Sequence, residues 1–135
     1  MSDVTWLVKD FLPFAQKRMG FDKAPTIIFK SDKLNSQEPL GKTAYYMPDE
    51  LTITVFVDGR HAKDILRSLS HELVHHTQNC RGELKDAHVS GPNYAQEDGH
   101  LRNMEKDAYL TGNMCFRDWE DKRKNQLQET NYISN

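Results

Sequence analysis

The spacing of hydrophobic residues predicts a helix at the start of the chain. From Asp3 to Met19, apolar side chains recur every three or four residues, and Gly20 follows as a stop signal. Pro13 lies inside this pattern, where it has no N–H to donate and its ring crowds the preceding turn. We therefore expect a kink or a break near Leu12, and we expect this helix to serve as scaffold.

Three short segments rich in β-branched and aromatic residues predict strands at 25–30, 41–47 and 51–57. In the third segment apolar and polar residues alternate, which places every second side chain on one face. Pro48-Asp49 separates the second and third segments and is typical of a turn. So short a connection predicts an antiparallel hairpin.

Two longer helical patterns follow the strands. The first runs from Ala62 to Cys80, and the second begins near Gln96 or Gly99 and runs to about Lys124. Together with the strands, they predict an α+β fold in which a small antiparallel sheet packs on both helices.

The composition is that of one folded domain. With 135 residues, of which 37% are hydrophobic and 28% charged, the chain can bury a single modest core. We assign residues 1–124 to this domain and 125–135 to a polar tail. No apolar run approaches the 18 residues that span a bilayer, and residues 1–10 lack the basic start and apolar core of a secretory signal. We therefore expect a cytoplasmic protein without a membrane partner.

Charge and cysteine spacing argue against two other classes of protein. The formal net charge is −2, and the short basic cluster within 117–124 is interleaved with acidic residues, so no nucleic-acid partner is expected. Cys80 and Cys115 fall on apolar helix faces and lack the C-x-x-C spacing of a thiolate zinc site. We expect both to be buried, reduced thiols.

The strongest chemical signal is the segment 71–75, which has the pattern H-E-x-x-H. His71 and His75, four residues apart on a helix, lie one above the other, so both imidazoles can bind one Zn²⁺ at about 2.0–2.1 Å. Glu72 then lies beside the metal, where its carboxylate can take a proton from a zinc-bound water. This arrangement is typical of metallopeptidases.

The two histidines lie off the apolar stripe of their helix, so core packing does not explain them. The same polar side of the helix carries Asp64, Arg67 and Gln78. The two histidines are therefore either metal ligands or exposed residues that bind nothing, and the spacing of Glu72 favours metal ligands.

A catalytic zinc normally takes three protein ligands, and the downstream candidates for the third are His76, His88, His100 and Glu105. His76 is rotated by about 100° from its neighbour in the motif, toward the apolar stripe, and cannot share the metal without distortion. Glu105 falls inside the apolar stripe of the last helix, where a carboxylate is costly unless it is paired or bound to a cation. Ala108, one turn later, leaves room for the other helix to approach. We therefore favour Glu105 as the third ligand; the alternative is a glutamate at the edge of the helix that reaches water or pairs with an arginine.

His71-Glu72-x-x-His75 followed by a helix bearing Glu105-x-x-Ala108 resembles the gluzincin group of zinc metallopeptidases. More closely, it is similar to very small single-domain members, some of them encoded by tailed phages, in which case the host cytoplasm would be the compartment. The resemblance covers about residues 41–119 and implies a minimal zincin-like fold. It also implies that substrate lies extended along the 41–57 hairpin.

The chain departs from the gluzincin pattern in two respects. Larger members place an aspartate four residues after the glutamate ligand, where it orients a ligating histidine. This chain has Tyr109 there, while Asp107 is expected to face another direction, so the sequence identifies no such partner. Larger members also carry a second subdomain, for which this chain is too short.

Two other zincin groups differ in the third ligand. SprT-like peptidases take a histidine from a later segment, which would make His88 or His100 the ligand. These peptidases usually carry a basic surface, however, which this chain lacks. Metzincins need a glycine three residues and a histidine six residues after the second histidine. Gln78 and Arg81 occupy those positions, so that group is excluded.

We therefore expect a zinc peptidase acting on a peptide or protein, with Glu72 as the general base. Tyr94, His100 and Tyr109 are the candidates for stabilising the oxyanion. One alternative is a zinc-stabilised structural or binding protein, such as a virion component without turnover, although such a site needs no general base. Another is a small-molecule amidase. The oligomeric state stays open.

Overall fold

The computed structural model describes residues 2–31, 43–83 and 94–134, with side chains in 4–31, 43–83 and 99–126. Within these ranges, three helices and a three-stranded sheet confirm the predicted α+β class. In chain order the elements are α1 (Ser2–Met19), β1 (Thr26–Lys30), β2 (Ala44–Met47), β3 (Thr52–Phe56), α2 (Ala62–Cys80) and α3 (Tyr94–Ser134).

Of the kink or break predicted near Leu12, the break is wrong, because helix α1 is continuous through Pro13. Pro13 and Lys9, the residue whose carbonyl loses its helical partner, both lie on the exposed face, where water can bond to that carbonyl. The predicted stop is confirmed, because Gly20 adopts φ +88° and its N–H donates to the Gln16 carbonyl at 2.8 Å.

The sheet has the order β1-β3-β2 and is mixed, which corrects the predicted antiparallel sheet. Strands β2 and β3 form the predicted antiparallel hairpin, but β1 pairs with β3 in parallel, from Thr26 opposite Thr52 to Lys30 opposite Phe56. Every residue of β3 is buried, so this strand occupies the centre and the two less buried strands take the edges. Since β1 and β2 flank β3 and run in opposite directions, β3 has a parallel neighbour on one side and an antiparallel one on the other.

Helices α2 and α3 pack closely against each other. Ala108 on α3 is fully buried, and the Ser70 hydroxyl on α2 donates to the Gly112 carbonyl at 2.7 Å. A Cβ added at Gly112 would lie 3.1 Å from the His71 Cα. Small residues on α3 therefore allow its backbone to approach the start of the H-E-x-x-H motif.

Helix α3 is longer than the sequence predicted. It begins at Tyr94 and extends to Ser134, past the expected end at Lys124 and through most of the segment assigned to a polar tail. Among the described residues, no helix is both long enough and apolar enough to span a membrane. Cys80 and Cys115 are free thiols, the first half-buried and the second fully buried.

We predict that Gly112→Ala destabilises the protein, whereas Gly99→Ala on the same helix stabilises it. Alanine raises helix propensity by about 1 kcal/mol at either position. At Gly112 the new methyl group presses on the backbone of His71 and Ser70, and such overpacking costs about 1–3 kcal/mol. At Gly99 nothing lies within 4 Å of the new Cβ. Urea unfolding measures both free energies, and equal stabilities of the two variants would contradict the close approach.

Candidate metal centre

Helix α2 carries the first three residues of the site. Its observed bounds, Ala62–Cys80, are the predicted ones, and the rings of His71 and His75 lie 5.0 Å apart between centroids. Potential ligand atoms of His71, Glu72 and His75 all lie within 4.8 Å of one another. The helical spacing therefore brings the two imidazoles and the carboxylate to one place.

Glu105 on α3 reaches both histidines. Its Oε1 lies 2.8 Å from the His75 Nε2, and its Oε2 lies 3.3 Å from the His71 Nε2. The reason given for choosing Glu105 from the sequence is wrong, however, because its side chain is 63% exposed and does not lie in the apolar stripe. Met104 and Ala108 beside it are buried, so Glu105 stands at the edge of that stripe and faces the cleft.

These distances fit a small divalent cation. A tetrahedral zinc with ligands at 2.0–2.1 Å holds neighbouring ligand atoms about 3.3 Å apart. Of the two nitrogen–oxygen distances at Glu105, 3.3 Å equals that separation, whereas 2.8 Å is shorter and is the length of an ordinary hydrogen bond. A carboxylate oxygen only accepts, so each contact needs either a proton on the imidazole or a cation shared by both groups. Two imidazoles and one carboxylate are a donor set that zinc prefers.

Glu72 is the buried carboxylate of the site, with 9% of its surface exposed. Burial raises the pKa of Glu72 from 4.5 to about 7, and the negative charge of Glu105 adds to the rise while His75 opposes it. Burial also lowers the pKa of His71, which favours the neutral imidazole that binds metals. In the metal-free site the pKa of Glu72 therefore lies near 7.

Three of the four residues, His71, Glu72 and Glu105, line a cleft of about 420 Å³ between α2, α3 and the start of β2. Tyr109 stands at this cleft with its ring centroid 5.8 Å from that of His71, and its side chain is exposed. The lining consists of Thr43, Ala44, Arg67, Ser68, His71, Glu72, Glu105, Tyr109 and Asn113.

The structure also identifies a partner of His75 that the sequence did not. The Nδ1 of His75 lies 2.9 Å from the Oε1 of Gln78, a residue expected on the solvated side of α2 but fully buried here. The Gln78 amide nitrogen donates to the Met104 carbonyl at 3.0 Å and to an Asp107 carboxylate oxygen at 2.9 Å. Asp107 therefore faces α2, and the expectation that it faces away from the histidines is wrong. The sequence signal for this contact was that Gln78 follows His75 by three residues, which places the two side chains next to each other on a helix.

The other histidines considered as ligands are placed differently. His76 is fully buried, with Nδ1 2.7 Å from the Tyr46 hydroxyl and Nε2 2.6 Å from the Lys23 carbonyl, so both ring nitrogens are engaged. His100 is exposed, with Nε2 3.0 Å from the Glu83 carbonyl. His88 and the side chain of Tyr94 lie outside the described residues.

No protein-family model matches the chain, and no curated protein or solved structure matches it. The functional interpretation therefore depends on the residues and their geometry.

We predict that Glu72→Gln stabilises the metal-free protein above pH 7. The folded state raises the pKa of Glu72 to about 7 from 4.5, so between these values it binds more protons than the unfolded state and loses stability as pH rises. The neutral glutamine removes this loss, which amounts to at most about 3 kcal/mol.

Denaturant unfolding at pH 4 and pH 8 in the presence of a chelator measures the effect. The variant should exceed the parent at pH 8 and match it at pH 4. Asp22→Asn, which alters an exposed carboxylate, is the control and should change stability by less than about 0.5 kcal/mol at either pH. An equal effect of Glu72→Gln at both pH values would contradict the raised pKa.

Proposed function

We propose that the protein is a zinc-dependent peptidase of gluzincin type. In this proposal His71, His75 and Glu105 hold the metal, and Glu72 is the general base. The observation that carries it is the approach of the Glu105 carboxylate to the Nε2 atoms of both histidines, at 2.8 Å and 3.3 Å, from a different helix. Three protein ligands beside a buried carboxylate are what a catalytic zinc site requires, since a position is left for water.

Each residue has a separate chemical role. When bound, Zn²⁺ supplies Lewis acidity that polarises the scissile carbonyl and lowers the pKa of water. Glu72 accepts a proton from the attacking water and delivers it to the leaving amine. Glu72 is buried next to the two histidines, which places its carboxylate where it can make both transfers.

Among the described strands β2 is at an edge of the sheet, beside the cleft, and this favours a peptide over a small amide as substrate. The Phe56 N–H donates to the Thr43 carbonyl at 3.0 Å, so Thr43 and Tyr45 bond toward β3. By the alternation of antiparallel pairs, the backbone groups of Ala44 and Tyr46 point away from β3. Ala44 also lines the cleft. An extended peptide can add to this edge through main-chain bonds and lie across the metal site.

Tyr109 is the proposed oxyanion donor. Of the three candidates, it is the one whose described side chain lines the cleft with His71 and Glu72. Its exposure leaves the ring free to turn toward a bound substrate. His100 instead contacts the Glu83 carbonyl.

Cleavage of a mixed peptide library by the zinc-loaded protein tests the proposal. Glu72→Gln should bind the same amount of zinc but cleave about 10²- to 10⁴-fold more slowly, because the proton acceptor is lost. Asp22→Asn, remote in sequence from the motif, is the control and should cleave at the parent rate. If parent and Glu72→Gln each hold one zinc and neither cleaves, the peptidase proposal fails and a structural zinc role replaces it.

We predict that Tyr109→Phe lowers kcat by about 10²-fold or more with little change in KM, since the lost hydroxyl acts on charge that develops during the reaction. Steady-state kinetics on a peptide selected from the library measures both constants, with zinc content determined in parallel. Parent-like kcat at equal zinc content would contradict the assignment of Tyr109.

A further inference from the structure

Gln78 connects one histidine of the site to the turn of α3 that carries Glu105. Its amide nitrogen bonds to the carbonyl of Met104, which precedes Glu105, and to the side chain of Asp107, which follows it by two residues. Its amide oxygen faces the Nδ1 of His75 at 2.9 Å. A single side chain, fully buried, therefore contacts structure around two of the three proposed ligands.

The partners fix the orientation of this amide. A backbone carbonyl and a carboxylate accept hydrogen bonds and do not donate, so both must face the NH₂ group of Gln78. Turning the amide over would place its oxygen against two acceptors. The oxygen of Gln78 therefore faces His75, and a bond between them requires the proton to be on the Nδ1 of His75.

The same logic extends to Asp107. The hydroxyl of Thr111 donates to the Oδ1 of Asp107 at 2.8 Å, while Gln78 donates to its Oδ2. The bonds from His75 to Gln78, from Gln78 to Asp107 and from Thr111 to Asp107 thus all run toward the Asp107 carboxylate. With the Nδ1 of His75 engaged as a donor, its Nε2, which lies 2.8 Å from Glu105, is the nitrogen left for a metal.

We propose that Gln78 and Asp107 are positioning residues of the metal centre. Gln78 holds the Nδ1–H of His75, so that the Nε2 is directed at the metal, and it aligns the Glu105 turn of α3 with α2. Asp107 holds the Gln78 amide in the required orientation. This inference deepens the proposed function and rests on it, because it assumes that His75 and Glu105 share a metal.

Zinc affinity of three variants tests the inference. Gln78→Met keeps the length of the side chain but removes its polar atoms, and Asp107→Asn keeps its shape but removes its charge. Thr77→Val is the matched control, because Thr77 is buried next to Gln78 and its hydroxyl bonds only back to the Leu73 carbonyl among the contacts described. Zinc dissociation constants come from competition with a chromophoric chelator, and thermal unfolding verifies that each variant is folded.

Gln78→Met should weaken zinc binding by about 10- to 100-fold, as is usual when the partner of a ligating histidine is removed. Asp107→Asn should weaken it less, because the bond from Gln78 to an asparagine oxygen can persist. The zinc dissociation constant of Thr77→Val should stay within about twofold of the parent value, well below the change expected when a partner of a ligating histidine is removed. Parent-like affinity of a folded Gln78→Met variant would overturn the inference. If that variant does not fold, Asp107→Asn decides instead: a loss of affinity greater than the twofold range allowed for Thr77→Val supports the inference, and an affinity within that range overturns it.

A spectroscopic readout separates positioning from a general loss of stability. In ¹H–¹⁵N NMR spectra, the His75 Nδ1–H should be a slowly exchanging signal in the parent and in Thr77→Val, and should be lost in Gln78→Met. Its absence from the parent would overturn the inference. If the parent binds no zinc, the proposed function fails. The bond is then judged from this signal in the metal-free protein, where its presence supports the role of Gln78 in holding His75 and its absence overturns it.

Discussion

The backbone of α3 at Gly112 lies against the backbone of α2 at His71, and the geometry of the site depends on this approach. The hydroxyl of Ser70 bonds to the Gly112 carbonyl, and a methyl group at Gly112 would lie 3.1 Å from the His71 Cα. Glu105 lies about two turns earlier on α3, so the same approach brings its carboxylate to the two histidines. If α3 lay farther from α2, the Glu105 carboxylate would not reach the two histidines.

The site places one buried carboxylate beside two imidazoles that also contact an exposed carboxylate. Burial raises the pKa of Glu72 to about 7, and both histidines lie against the Glu105 carboxylate. Such an arrangement gains most from a cation, because a cation binds the neutral nitrogens and offsets the carboxylate charge. Gln78 adds the constraint that His75 presents its Nε2. The charges around the site and the bond between Gln78 and His75 are therefore both compatible with a cation at the Nε2 of His75.

Local signals in the sequence were sufficient for much of the fold. Helix α2 was predicted with its observed bounds, because its apolar residues recur at the helical period and a glycine lies just beyond each end, at Gly59 and Gly82. Non-local features were harder. The parallel pairing of β1 with β3 and the burial of β3 on both faces involve segments that are distant in sequence, and alternation within one strand does not reveal them.

The same limit applies to the candidate site. His71, Glu72 and His75 followed from spacing alone, because a helix fixes their relation. Glu105 was chosen for a burial that it does not have, and its contact with the histidines depends on how α3 crosses α2. Gln78 was placed on the solvated side because a single apolar stripe was assumed, whereas α3 covers a second side of α2. A helix that packs on two sides cannot be interpreted from one stripe.

The most direct test of the account is a crystal structure of the zinc-loaded protein, with the metal located by anomalous scattering at the zinc edge. The account predicts one zinc at about 2.0–2.2 Å from the Nε2 of His71, the Nε2 of His75 and a carboxylate oxygen of Glu105. Zinc bound by His88 or His100 in place of Glu105, zinc with four protein ligands, or no zinc at His71 and His75 would contradict it.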